Sequence, residues 1–310
     1  MKNLKIGLII FLLNTSFVLA EENSFIKMAS FTYENDSVYG KDSYYSNGLQ
    51  FYFSTNNKEK NNKLHSYSFG IGQKMFTPYS IEEKGFNLND RPYAGYLYGF
   101  LNKNIFHDNT MDTIGLSLGT TGPNSLAEEV QKDIHSMIKS PEPQGWDYQI
   151  DNQILFSLHL KRNMEIFSTN THQYDWKIFT KLELNLGTPT TSIIPSVEFR
   201  YGWNLGNDFL ANKITETPQD LILNDSNSYY VFLELMPMAV LYDTFLDEDE
   251  VKGGYKTNIE REWFQYQVMF GFTAKYKDFY VKNSNMFFSK EFDKQDKTQI
   301  IFSLNVGYLF

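Results

Sequence analysis

Hydrophobic and polar positions alternate along much of this chain. In "HSYSFGIGQKM", residues 65–75, the aromatic and aliphatic side chains share one face of an extended strand, and serine, glycine and lysine share the other. Segments 263–276 and 298–310 repeat this two-residue period, which is typical of β-strands that separate an apolar from a polar environment. The pattern predicts twelve strands, at 25–34, 44–54, 65–76, 93–104, 111–120, 150–162, 174–187, 190–203, 228–242, 263–276, 279–290 and 298–310.

Two features fit a regular series of strands less well. Pro237 falls inside a predicted strand, where it removes a ladder hydrogen bond and indicates a bulge. The connection 204–227 is long, so either this turn is unusual or one strand is misassigned. The segment 56–62, in contrast, has the composition of a simple polar turn.

The beginning of the chain differs from the rest. It has a short basic segment, then an apolar run, and then small residues at a cleavage site, as is typical of a secretory signal peptide. The apolar run is too short to span a membrane. We therefore expect residues 1–20 to be a signal peptide and residues 21–310 to form one domain.

Composition narrows the fold class of this exported chain. Aromatic residues make up 17% of it, yet its mean hydropathy is -0.41 and no later apolar run has the length of a spanning helix. Together with the alternation, this predicts an all-β fold, a single transmembrane antiparallel β-barrel of the bacterial outer membrane. A soluble periplasmic β-sandwich is the alternative. A soluble sandwich does not need a last strand that ends in an aromatic residue. In this chain the last strand ends in Phe310, and such an ending resembles the signal that the barrel-assembly machinery recognises.

Charge and cysteine content exclude several classes of function. When the signal peptide is removed, lysine and arginine fall from 28 to 26 while aspartate and glutamate stay at 37, so the formal charge moves from -9 to -11. A chain with this net negative charge lacks the excess of basic residues that is typical of nucleic-acid-binding proteins. The sequence contains no cysteine, which excludes disulfides, thiolate chemistry and cysteine-metal sites.

One short helix is predicted, at about 125–139 between the fifth and sixth strands. Gln131 and His135 are four residues apart and therefore lie on one face of it. The adjoining apolar stripe can pack on the barrel or contact lipid; it consists of Leu126, Val130, Ile134 and Met137.

The predicted topology brings several polar residues to one rim. An even number of strands places both termini on the periplasmic side, so the first strand rises to the cell surface. Loop 34–43, the start of the second strand and the helix then share the outer rim at the depth of the outer-leaflet lipid. The amide of Asn35, the carboxylate of Asp36 and the hydroxyl of Ser46 are then close to one another. The helix adds Gln131 and His135 to this group. Arg91 lies at the same rim and is a candidate substrate contact.

A set of motifs in a fixed order resembles one enzyme family. These motifs are Asn35-Asp36, "YYSNG" at 44–48, "NDRPYAGYLYG" at 89–99, "LGTTGP" at 118–123, "EEVQKDIH" at 128–135 and "GWDYQ" at 145–149. They resemble the outer-membrane lipid A 3′-O-deacylases. The resemblance implies a twelve-stranded barrel that removes the 3′-linked acyloxyacyl chain of lipid A, a part of lipopolysaccharide, among the outer-membrane lipids and with calcium dependence.

The resemblance also implies roles for individual residues. The family's Asn-Asp pair falls on Asn35 and Asp36, and its Gln-x-x-x-His pair on Gln131 and His135. Its active-site hydroxyl falls on Ser46, where threonine is familiar in the family. The family's acidic residue after the helix matches Glu142 only with a shift of one position, which makes Glu142 a candidate metal ligand beside Asp36.

The chemistry of these residue types is consistent with ester hydrolysis. An imidazole with a reference pKa of about 6.5 can take a proton from water at neutral pH, which makes His135 the predicted general base. Ca²⁺ prefers carboxylate, amide and carbonyl oxygens and can polarise an ester carbonyl. Two alternatives stay open: Ser46 as a nucleophile paired with His135, and a non-enzymatic pore or adhesin.

Overall fold

A computed structural model describes residues 26–36, 38, 40, 43–55, 58–169, 171, 174–206, 208–219, 226–247, 250–251 and 254–310. The predicted signal peptide lies outside the described residues. Within them, twelve long strands form the barrel, as predicted: β1 Ile26–Asn35, β2 Tyr44–Thr55, β4 Lys63–Thr77, β5 Ala94–His107, β6 Thr110–Thr121, β7 Ile154–Ser168, β8 Tyr174–Gly187, β9 Thr190–Trp203, β10 Ser228–Asp243, β13 Phe264–Tyr276, β14 Phe279–Phe288 and β15 Gln299–Leu309. Three short strands lie in connections: β3 Lys58–Lys60, β11 Glu250–Val251 and β12 Tyr255–Lys256.

The sheet closes on itself. Each long strand pairs antiparallel with its neighbour in sequence, β2 pairs with β4, and the first strand pairs with the last through Met28↔Leu309 to Asn35↔Phe302. This closed antiparallel barrel confirms the predicted fold class. Ile26 and Leu309 lie at the same end of the barrel, here named the termini end. The opposite end, here named the helix end, carries the connection between β6 and β7.

Exposure alternates along the strands in the predicted way. In β10, Tyr230, Phe232 and Glu234 point into the lumen and are buried, while Val231 and Leu233 point outward and are 54% and 41% exposed. Exposed aromatic residues mark both ends of the outer wall, as in membrane barrels; they include Tyr174, Trp176, Trp203 and Tyr229 at the termini end and Trp263, Phe264 and Tyr266 at the helix end. No helix in the described part of the chain is long and apolar enough to cross a membrane.

Three local predictions are corrected. The sixth strand is not at 150–162 but at Ile154–Ser168, because residues 145–150 pack against the rim instead of joining the ladder. The predicted polar turn 56–62 contains β3, which pairs with β4. Pro237 causes no bulge: it stays in register opposite Tyr266, and the register shift lies further on, between Val240 and Tyr242.

The connection between β9 and β10 is long because part of it folds into the lumen. Its residues 208–219 fold back into the lumen and are bonded to the inner wall. Gln50 donates to the Thr215 carbonyl at 2.7 Å, and Lys74 pairs with Glu216 at 2.9 Å. We name residues 208–219 the plug. Periodicity cannot predict it, because the plug has no regular secondary structure and its partners come from strands throughout the barrel.

Buried charges close the lumen beneath the plug. Lys181 pairs with Glu198 at 2.5 Å and with Glu234 at 3.0 Å, and Arg200 pairs with Glu198 at 2.6 Å and with Asp208 of the plug at 2.5 Å. Each of these five charges therefore has an opposite partner, as a water-poor interior requires. The plug and these side chains occupy much of the described part of the lumen, where a cavity of about 170 Å³ remains.

Candidate active site

A helix lies across the outer wall at the helix end of the barrel. It spans Ala127–Ile138, slightly shorter than predicted, and we name it the rim helix. Its buried face consists of Ala127, Gln131 and His135, each one turn apart. Met137 is 81% exposed, and Ile138, the last residue of the helix, is 61% exposed. The helix therefore turns its amide and imidazole towards the barrel, and much of its apolar surface faces the surroundings, as lipid contact requires.

The close approach of the rim helix depends on its neighbours in β4 and β5. A Cβ atom at Gly95 would lie 2.0 Å from Ser125 Oγ and 2.4 Å from Ala127 Cβ, so glycine leaves the space that the start of the helix fills. Gln73 Nε2 donates to the Ser125 carbonyl at 2.7 Å and ties this segment to the wall. These contacts place Gln131 and His135 against the outside of the barrel.

A β-bulge in β2 brings Ser46 to the same place. Tyr45 pairs with Phe76 and Asn47 with Met75, so one residue, Ser46, is inserted between two successive ladder pairs. Tyr45 donates to Glu34 at 2.7 Å on the lumen side. A bulge re-aims the side chains that follow it, and both Ser46 and Asn47 line a cavity on the outer wall.

This cavity of about 510 Å³ lies between the outer wall and the rim helix. It brings together four of the predicted residues, Asn35, Ser46, Gln131 and His135. Asn35 Nδ2 donates to the Ser46 carbonyl at 2.9 Å and links β1 to the bulge. The remaining lining is partly apolar and includes Tyr33, Met75, Ile134 and Ile138. A polar cluster inside an apolar, lipid-side cavity suits a ligand with both a polar group and hydrocarbon chains.

The hydrogen bonding of His135 defines which ring nitrogen can act as a base. His135 is 7% exposed, and its Nδ1 lies 2.5 Å from the Pro141 carbonyl oxygen. A carbonyl oxygen only accepts, so Nδ1 carries the hydrogen and Nε2 keeps its lone pair. Pro141, which follows the rim helix, thus orients the imidazole through its carbonyl group.

Gln131 is oriented by a residue that our site prediction omitted. Trp146 is fully buried and its indole N–H donates to Gln131 Oε1 at 2.8 Å. The ring of Trp146 packs on Tyr93 with centroids 4.9 Å apart. This bond directs the carbonyl of the amide to the indole and leaves the NH₂ group on the other side. The motif "GWDYQ" contained the signal, but its role was not assigned.

Asp36 lies beside the cavity and is completely buried. Its Oδ2 accepts the Ser43 backbone N–H at 2.8 Å and Gln299 Nε2 at 3.3 Å, which holds the carboxylate next to the bulge. No three histidine, cysteine, aspartate or glutamate side chains group together as a metal site among the described residues. The buried Asp36 carboxylate is an oxygen donor of the kind that a hard cation takes.

Asp36 is not part of the cavity lining, and neither are two further predicted residues, Arg91 and Glu142. Arg91 is buried, pairs with Glu291 at 2.9 Å and lies 4.5 Å from the centre of the Phe76 ring. These contacts fix Arg91 inside the rim instead of presenting it to a ligand. Glu142 is exposed on the chain after the rim helix, where its backbone carbonyl accepts a bond from Gln144.

Asp90 holds the opposite wall of the cavity. Its carboxylate accepts the backbone N–H groups of Tyr79 and Arg91, each at 2.8 Å. Burial raises the pKa of the Asp90 carboxyl above its ordinary value, and these two donors act against that rise. The bonded loop carries Tyr79, Ser80, Ile81 and Glu82 along the cavity.

Fold and cavity define a closed antiparallel β-barrel of the membrane type, with a cavity on its outer wall that His135 lines. A family model described as outer membrane protein LpxR matches residues 6–310. The chain belongs to this family, which confirms the resemblance seen in the motifs and supports an outer-membrane location.

A solved structure has the same fold. LpxR from Salmonella typhimurium superposes with a TM-score of 0.79 at 16% identity, covering 91% of this chain and 100% of that one. The β-domain of the Bordetella autotransporter BrkA matches with a TM-score of 0.48 at 9% identity, covering 93% of this chain and 99% of that one. A search among curated proteins by sequence found no match.

Proposed function

We propose that this protein is a carboxylic ester hydrolase of the outer membrane, a lipid A 3′-O-deacylase that releases the 3′-linked acyloxyacyl chain. The observation that carries this proposal is that His135, whose Nδ1 is hydrogen-bonded to the Pro141 carbonyl, lines a cavity on the outer wall of the barrel. Family membership supports the same substrate class. Lipid A combines esters, phosphates and acyl chains, which suits a cavity with a polar cluster and apolar walls.

In the proposed reaction, His135 Nε2 removes a proton from water, and the oxygen attacks the carbonyl carbon of the ester. The bond between the carbonyl carbon and the 3′-oxygen of the sugar then breaks, and the imidazolium returns its proton to this departing oxygen. The products are the free acyloxyacyl acid and a 3′-hydroxyl group. The Pro141 carbonyl keeps Nδ1 protonated and stabilises the charged ring that forms in between.

The other cavity residues have positioning or charge-stabilising roles in this proposal. The Ser46 hydroxyl, whose hydrogen bond in the structure runs to the Met75 carbonyl at 3.4 Å, donates to the developing oxyanion. The Gln131 NH₂ group, directed by Trp146, orients water or substrate. Asn35 fixes the bulge that carries Ser46.

Asp36 is the proposed anchor of a calcium ion. When bound, Ca²⁺ supplies positive charge that polarises the ester carbonyl. The burial of the Asp36 carboxylate beside the cavity supports this assignment.

Experiments can distinguish this proposal from one other mechanism and one other function. In the first, Ser46 is the nucleophile and His135 its base, since both line one cavity. In the second, the barrel is a passive pore or an adhesin. The plug and the buried ion pairs argue against a pore, because they occupy the described part of the lumen.

The proposed activity predicts a defined product. Purified barrel incubated with hexa-acylated lipid A should yield a species whose mass is lower by one acyloxyacyl group, together with the free acid, measured by mass spectrometry. A barrel with His135→Ala serves as the matched control. Unchanged lipid A, with a correctly folded barrel, would refute the deacylase function.

The proposed orientation places the helix end at the cell surface and the termini end in the periplasm, with Phe310 at the end recognised by the barrel-assembly machinery. A single cysteine at Gln144, exposed at the helix end, should then react with an impermeant thiol reagent on intact cells. A cysteine at Asn61, exposed at the termini end, should react only after cell lysis. The reverse labelling pattern would invert the orientation.

A further inference from the structure

A second cavity lies on the outer wall at the termini end, far along the strands from the first. It has a volume of about 450 Å³ and is bounded by the β3–β4 hairpin and the last residues of β5. Its lining contains cationic, imidazole and apolar side chains, which are Lys58, Lys60, Lys63, Lys103, His65, Tyr67 and Ile105. We name it the basic groove. It stands out because the whole chain has a formal charge of -9.

The basic groove lies at the edge of the apolar belt. Lys103 is paired across the sheet with Tyr67 on one side and with Ile114 on the other. Leu101 and Ile114, which border it towards the middle of the barrel, are 56% and 50% exposed and face lipid. Lysine at such a boundary keeps its hydrocarbon stem on the apolar wall and its ammonium group at the level of the lipid headgroups.

Three of the four lysines of the basic groove are not neutralised by carboxylates of the described part of the chain. Among the described residues, Lys60, Lys63 and Lys103 take part in no ion pair. The one acidic residue of the hairpin is Glu59, which lies opposite Leu64 in the strand register. Lys58 and Lys60 lie opposite His65 and Lys63. Since strand side chains alternate, Glu59 projects from the face opposite to these lysines.

We propose that the basic groove binds the phosphate headgroup of an anionic glycerophospholipid of the surrounding leaflet. The lysines supply the charge, the Tyr67 ring and Ile105 contact the glycerol and upper acyl region, and the groove is continuous with the lipid-facing wall. Under the orientation proposed above, on which this inference rests, that leaflet is the periplasmic one. The site is separate from the His135 cavity and would hold the barrel at a fixed depth.

The test is lipid retention by the intact barrel in detergent. The barrel is mixed with equal amounts of phosphatidylglycerol and phosphatidylcholine, and the bound lipid is counted by native mass spectrometry. Wild-type protein should retain phosphatidylglycerol in preference. Lys60→Gln with Lys103→Gln should weaken that retention by about 25-fold, since each lysine near an anionic surface contributes about a factor of five.

A matched double variant removes the same charge elsewhere at the termini end. Lys27→Gln with Lys277→Gln should retain phosphatidylglycerol as the wild type does. Equal retention of both lipids by wild-type protein, or an equal loss in both double variants, would overturn the proposal. So would displacement of the lipid by soluble glycerol phosphate, because that would reveal a free-phosphate site. Deacylation of lipid A, assayed on the same preparations, reports separately on the proposed enzyme.

Discussion

Replacing His135 by alanine should lower the rate of acyl-chain release by about 10²–10⁴-fold, the usual contribution of a general base. His135 Nε2 is the proposed proton acceptor, because Nδ1 is committed to the Pro141 carbonyl. His135→Asn should recover little of this loss, since an amide cannot take up a proton at neutral pH. The measurement is release of the acyloxyacyl acid at matched amounts of folded barrel.

Two further variants make the His135 result specific. Ser46→Ala should cost less than His135→Ala, because in the water mechanism it removes a hydrogen bond and not the attacking atom. His107→Ala is the matched control: His107 is exposed at the termini end, and its loss should leave the rate unchanged. An acylated Ser46, with Ser46→Ala as inactive as His135→Ala, would establish the serine mechanism instead. Full activity of His135→Ala would show that the site lies elsewhere.

Removal of calcium should abolish hydrolysis while the barrel stays folded. The closed hydrogen-bonded sheet and the packed lumen do not depend on the metal, so circular dichroism should be unaffected by chelator. Activity should return when calcium is added in excess. Asp36→Ala should shift this calcium dependence to much higher concentrations, because it removes the buried carboxylate beside the cavity.

Glu142 provides the contrast for the calcium experiment. The sequence resemblance made it a second candidate ligand, but its side chain is exposed and outside the cavity lining. Glu142→Gln should therefore show the calcium dependence of the wild type. A shift as large as that of Asp36→Ala would restore Glu142 as a ligand. Full activity in excess chelator would remove calcium from the mechanism.

Strand alternation was predictable from sequence because it is encoded locally. Each strand must present apolar residues to lipid and smaller or polar ones to the lumen, so the two-residue period persists in every strand. Residues 174–187 and 190–203 have the predicted limits. The sixth strand was placed too early because Ile150 is apolar and buried, although its backbone N–H bonds to the Tyr93 carbonyl and the ladder begins only at Ile154.

The sequence by itself determined the barrel, the helix with Gln131 and His135 on one face, and the common rim of the candidate residues. Only the tertiary structure decided that Ser46 occupies a bulge, that Pro141 and Trp146 orient the two helix residues, and that the plug fills the lumen. It also separated Arg91 and Glu142 from the cavity. The physical reason is that periodicity records the environment of each strand face, whereas bulges, hydrogen-bond partners and lumen contacts depend on residues far apart in the chain.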